Sequence, residues 1–100
     1  MDKYLVKLYP RAYRDLDGIY THIAGTLLEP ATASKMVDEL ENAIFSLEIL
    51  PERGAIRRIG AYANQGYRQL FHKNYTIIYR VMEEKKEVHI ITVRYIPSNF

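Results

Sequence analysis

From Tyr67 to Tyr95 the chain is written in runs of β-branched and aromatic residues broken by short polar links. Tyr67 to His72, Tyr75 to Val81 and Val88 to Tyr95 each read as a strand, separated by the turn-prone pieces Lys73-Asn74 and Glu83 to Glu87. Links this short join antiparallel neighbours, so the three runs predict a meander. Upstream, Tyr4, Val6 and Leu8 alternate with Leu5, Lys7 and Tyr9. That period of two predicts a first strand over Lys3 to Tyr9, apolar enough for burial on both faces.

Pro10 ends the strand and suits the first turn of a helix. Ala12, Leu16, Ile19, Ile23 and Leu27 then step by three and four along one helical face, with Arg14, Asp15, Asp17 and Thr21 mostly opposite. Gly18 weakens this helix and is expected to mark a close approach by a neighbouring element, while Gly25 is expected at its end. After a link from Thr26 to Glu29, Pro30 opens a second helix over residues 31–50. Its stripe is Met36, Val37, Leu40, Ile44, Leu47 and Leu50, and Pro51 stops it. Two amphipathic helices joined so briefly form an antiparallel hairpin whose apolar stripes the sheet covers. Glu52 to Gly66 carries no period and reads as a flexible, positively charged loop. The fold class expected is α+β: an N-terminal strand, an antiparallel helix hairpin, then a three-stranded antiparallel meander in one sheet packed on the helices. One hundred residues suit one such domain.

Composition narrows the chemistry. Without cysteine there is no disulfide and no thiolate metal site, and His22, His72 and His89 lack ligand spacing, so neither metal nor cofactor is expected. No apolar run reaches the roughly 20 residues a bilayer crossing needs, and Met1-Asp2-Lys3 does not begin a signal peptide, so the expected location is the cytoplasm. The net charge of +2 conceals an imbalance: residues 1–50 carry five Lys+Arg against eight Asp+Glu, and residues 51–100 carry nine against four. The basic half is the half that meets something anionic, or simply a charged surface. Within it, Arg68 and His72, Arg80, and Arg94 stand where alternation along strands brings them to one shared surface. Arg57 and Arg58 lie in the loop that leads there.

The order of elements, together with Arg14-Asp15-Leu16-Asp17-Gly18-Ile19-Tyr20, Leu47-Glu48-Ile49-Leu50-Pro51-Glu52, Gly66-Tyr67-Arg68, Asn74 to Val81 and Val88 to Tyr95, resembles the RelE/ParE superfamily of bacterial toxins. The resemblance spans nearly the whole chain. It implies a toxin encoded beside an antitoxin in a type II module, associated with plasmid stabilisation, that meets operator DNA only through the antitoxin. Antitoxins of the superfamily wrap their toxins with a segment that folds on binding. The residues expected to meet it here are Leu16, Ile19, Tyr20 and Ile23, or else these belong to the core.

Two activities divide the superfamily. RelE-like members cut mRNA on the ribosome, and Arg68, His72, Arg80, Arg94 and Tyr95 would carry that chemistry here. Against the RelE pattern Tyr-Lys-x-Lys, however, stands Tyr67-Arg68-Gln69-Leu70. Where RelE has Tyr-Arg stands Tyr75-Thr76, and where YoeB-like members end Arg-Tyr-His stands Arg94-Tyr95-Ile96. ParE-like members instead poison DNA gyrase, and the helix end Leu50-Pro51-Glu52 and strand Tyr79-Arg80-Val81 look closer to them. On that reading Arg57, Arg58, Arg68, Arg80 and Arg94 bind the target and perform no catalysis. A degenerate toxin serving as an antitoxin-bound corepressor is the third alternative.

Overall fold

In the computed structural model, which describes residues 3–96, two helices cover one face of a five-stranded sheet. Strand β1 (Leu5–Leu8) leads into helix α1 (Pro10–Thr21), which continues through a wider π-helical turn, His22–Thr26, one residue beyond the expected stop at Gly25. Helix α2 (Pro30–Phe45) tightens into a 3-10 turn at Ser46–Glu48, so the regular helix is shorter than the apolar stripe suggests. Both helices open on proline, whose fixed φ and missing N–H suit a first turn. Strands β2 (Ala55–Ile56), β3 (Arg68–His72), β4 (Tyr75–Met82) and β5 (Glu87–Tyr95) follow.

The sheet order is β1-β5-β4-β3-β2, with β1 parallel to β5 and every other pair antiparallel. The meander therefore stands as expected, and the short β2 falls inside the stretch read as an irregular loop. Two residues cannot show an alternation, which is why β2 left no pattern. Leu16, Leu40, Ile44 and Leu47 pack against Ile77, Tyr79, Val88, Ile90 and Val93 to form the core. Each such buried side chain contributes on the order of 1.5–3 kcal/mol.

Two expectations are corrected here. The first strand is buried on one face only: Leu5 is 59% exposed, because the helices cover one side of the sheet and Val6 and Leu8 take that side. A side chain added at Gly18 would meet nothing within 4 Å, so no close approach explains that glycine. Among the described residues no helix is long and apolar enough to cross a membrane, and no three acidic or histidine side chains group as for a metal.

Candidate functional site

Register decides which side of the sheet each basic residue serves. Lys73-Asn74 pairs His72 with Tyr75, so Arg68 stands opposite Tyr79 and shares the helix-facing side with Leu70 and His72. Arg80 is the next residue along and points the other way. Arg94 follows Arg80 only because of a bulge: the register shifts between Ile78 and Tyr79, leaving Ile91 unpaired and setting Arg94 opposite Thr76. The expected convergence of four basic residues is thus corrected to two pairs on opposite faces.

Arg68 and His72 are committed to holding the fold. Arg68 Nη1 donates to the Gly54 carbonyl at 2.7 Å, and its Nη2 lies 3.6 Å from the Glu52 carboxylate. His72 Nε2 lies 2.7 Å from Glu39 Oε1 on α2, where Lys73 Nζ also sits at 3.0 Å. These two contacts, His72 first, hold the Glu39 carboxyl below its usual range. Arg57 is likewise occupied: Nε donates to the Ala61 carbonyl and Nη1 to Gln69 Oε1 at 2.8 Å, closing the segment before β3. Arg58 is exposed.

On the outer face, Arg80 lies 5.5 Å from the centre of the Tyr67 ring and Arg94 5.5 Å from that of Tyr62. The two tyrosines meet edge to face at 5.2 Å. The row therefore runs Arg80, Tyr67, Tyr62, Arg94. Tyr67 continues β3 opposite Arg80, and left-handed backbone at Gly60, Tyr62, Asn64 and Gly66 turns the preceding segment so that Tyr62 meets Tyr67 and Arg94. Ile78 and Thr76 project to this face yet are buried beneath it. Neither Arg80 nor Arg94 forms an ion pair or hydrogen bond with a described residue, so their N–H groups face outward unspent. Thr76 Oγ1, in the same register row as Arg94, is the buried side-chain polar atom without a partner among the described residues.

Beside Arg80, in register with it, sits a network absent from the sequence reading. Tyr9 meets His89 Nδ1 at 3.0 Å, His89 Nε2 meets Glu87 Oε1 at 2.9 Å, and Lys7 Nζ meets Glu87 Oε2 at 2.9 Å. The hydrogen bond from His89, then that from Lys7, holds the Glu87 carboxyl below its usual range. Glu87 and His89, two apart on one strand, were the available signal; Tyr9 and Lys7 join them only through the parallel pairing of β1.

A groove of about 720 Å³ opens between the helix hairpin and the end of the sheet, lined by Ile19, Ile23, Met36, Lys73, Tyr75 and Tyr95 among others. Of the four residues expected to meet an antitoxin, Ile19 and Ile23 line it. Leu16 and Ile23 are each only 5% exposed and belong chiefly to the core, while Tyr20 is exposed outside the groove. Tyr95, 62% exposed, meets Tyr75 edge to face at the groove's edge, on the opposite face from Arg94.

The fold has counterparts among known proteins. Residues 6–95 match the family described as the ParE toxin of the type II toxin-antitoxin system, parDE. A chain of the chromosomal ParDE toxin-antitoxin system from P. aeruginosa superposes with a TM-score of 0.78 at 26% identity, covering 95% of this chain and 98% of that one. One from the RelBE2 toxin-antitoxin complex of Mycobacterium tuberculosis gives 0.68 at 21% identity, covering 93% and 98%. The isolated RelE toxin of E. coli gives 0.56 at 16%, covering 96% and 87%; these last two are likenesses of fold. A search of curated protein sequences yields no match.

Proposed function

Because this chain belongs to the ParE toxin family and is the toxin of a type II toxin-antitoxin module, we propose that it arrests growth by inhibiting DNA gyrase and not by cutting RNA. The observation that carries this reading is the split of the basic residues. Ribonuclease chemistry at a phosphodiester needs a proton acceptor, a proton donor and a cation around one phosphorus. Here Arg68 and His72 face the helices and are held by Gly54 and Glu39, Tyr95 lies on that same side, and Arg80 and Arg94 lie on the other. There His89, beside Arg80, has both ring nitrogens engaged, by Tyr9 and Glu87. Thr76 and Ile96 stand where the nuclease branch has Arg and His. Arg80 and Arg94, with exposed Arg58, remain as target contacts.

A cognate antitoxin neutralises the toxin by laying a segment in the groove between hairpin and sheet. The groove offers that segment apolar anchors at Ile19 and Met36, rimmed by Arg14 and Lys73. Operator DNA is met through that antitoxin, in the cytoplasm where gyrase works. Supercoiling assays with purified gyrase test the target. Inhibition with trapped DNA breaks at micromolar toxin is expected, and full supercoiling at that concentration would retire the reading.

A further inference from the structure

We propose that the Arg80–Tyr67–Tyr62–Arg94 row seats a single strand of DNA, with a phosphate on each guanidinium and a base against the tyrosines. The proposal rests on the gyrase reading above, and places the toxin's contact on the nucleic acid that gyrase holds open, as distinct from gyrase's own surface.

A guanidinium lying on an aromatic face is fixed in orientation while its N–H edge stays free for bidentate contact with phosphate. Arg80 and Arg94 both sit this way, and neither is neutralised by a described carboxylate. Glu87, two residues along β5 from the His89 that pairs with Arg80, already holds Lys7 and His89. The two arginines are also spaced for a backbone: Arg94 is in register with Thr76, four residues before Arg80 on β4, a separation of roughly 13 Å along the strand. That spans about four phosphates at the ~3.4 Å rise of a stacked strand, or fewer if the strand is extended. Between them lie two tyrosine rings, and cations interleaved with aromatics are how single strands are held without sequence preference.

The row is also built, not incidental. Tyr62 has φ +68°, a conformation that bulky residues adopt only where the surroundings enforce it. With Gly60, Asn64 and Gly66 also left-handed, the segment is bent so that the Tyr62 ring meets Tyr67 and Arg94. A carboxylate-rich protein surface would use the two arginines but leave the tyrosines idle, so nucleic acid is favoured.

The test is fluorescence anisotropy with the intact protein at low salt. The probes are a labelled single-stranded DNA of about a dozen nucleotides, an RNA of the same sequence and a labelled polyglutamate. Single-stranded DNA is expected to bind with a log affinity that falls against log salt with a slope of about −1.4, two phosphates' worth. Arg80→Ala with Arg94→Ala should weaken binding at least tenfold and flatten the slope. Tyr67→Ala should weaken it at unchanged slope, and Arg80→Lys with Arg94→Lys should keep the slope. Circular dichroism confirms that each variant is folded. DNA binding indifferent to the double alanine variant overturns the site. Polyglutamate bound as tightly as DNA reassigns the face to an acidic protein, and RNA bound tenfold tighter than DNA overturns the assignment to DNA. If DNA binds as expected but gyrase is not inhibited, the gyrase reading falls and the strand site stands. If gyrase is inhibited equally by the double alanine variant, the site falls and the gyrase reading stands.

Discussion

The Gly54 N–H donates to the Tyr79 hydroxyl at 2.8 Å, while the Gly54 carbonyl accepts from Arg68. This one peptide stretch anchors the otherwise loosely patterned segment between helix hairpin and meander. Tyr79 is fully buried in the core, and its hydroxyl would lack this partner if the segment moved. Burial pushes the Tyr79 phenol up, with the Gly54 bond and then Arg68 opposing it.

Gly54→Ala should therefore destabilise the protein. An added Cβ would collide with the Gln69 carbonyl and lie 2.8 Å from the Tyr79 hydroxyl. The neighbours are backbone and a buried ring, which cannot step aside, so a loss of about 1–3 kcal/mol is expected in urea unfolding. Stability within about 0.5 kcal/mol of the parent would contradict the packing.

Arg68→Ala and Arg80→Ala should separate stability from activity. Removing Arg68 breaks a charged hydrogen bond in a half-buried setting and should cost about 1.5–3 kcal/mol. Removing Arg80 touches no hydrogen bond among the described residues and should leave the unfolding midpoint almost unchanged while gyrase inhibition falls. The reverse pattern in paired unfolding and supercoiling assays would mean that the two faces have been assigned the wrong way round.

Asp15 Oδ2 accepts from both the Thr92 hydroxyl and the Val93 N–H, the latter at 3.0 Å, at the part of β5 that β1 does not reach. Asp15→Ala leaves these donors unsatisfied, at a cost of about 1–3 kcal/mol. Amide exchange at Val93 should accelerate in the variant; an unchanged rate would show that the carboxylate is not what protects it.

Acid should weaken the protein partly through Glu39 and Glu87. Their carboxyls are held below the usual range by His72 with Lys73, and by His89 with Lys7. A depressed folded-state value means that the unfolded chain takes up the proton first. The stabilisation is therefore complete above about pH 4.3, the ordinary glutamate value, and is lost as pH falls through the lower folded values. Glu39→Gln with Glu87→Gln should flatten the stability-versus-pH slope in that acid window, as read from urea midpoints. An identical slope would show that neither contact survives in solution.

Tyr95→Asp should cut antitoxin affinity at least tenfold, since Tyr95 is exposed at the groove's edge and a charge there opposes an apolar segment. Toxicity in its absence should persist. Calorimetry with the antitoxin and growth on co-expression read the two effects, and undiminished neutralisation would move the docking site elsewhere.

The sequence alone determined both helices, every strand but the two-residue β2, and their order. Period-two runs within β1, β4 and β5 and three-four steps within α1 and α2 are local consequences of backbone geometry, so Ile77, Tyr79, Leu40 and Ile44 could be read as core. Even the separation of Arg68 from Arg80 was legible in the two-residue link Lys73-Asn74. Such a link fixes hairpin register, and that register puts even-numbered residues of β3 opposite odd-numbered residues of β4.

Other features were decided only in three dimensions. Without the bulge at Ile91, the register of Met82 with Glu87 would carry on to place Arg94 opposite Tyr75, on the helix side with Arg68. One unpaired residue, invisible to periodicity, thus brings Arg94 to the face of Arg80. Of the tyrosines beside those arginines, Tyr67 extends the β3 alternation opposite Arg80, but Tyr62 comes from a segment whose left-handed turns carry no periodic signal, and Tyr9 reaches His89 through a parallel pairing some 80 residues distant in the chain. Period along a strand reports which neighbours share a side; which strands share that side depends on register, and register is a property of the assembled sheet.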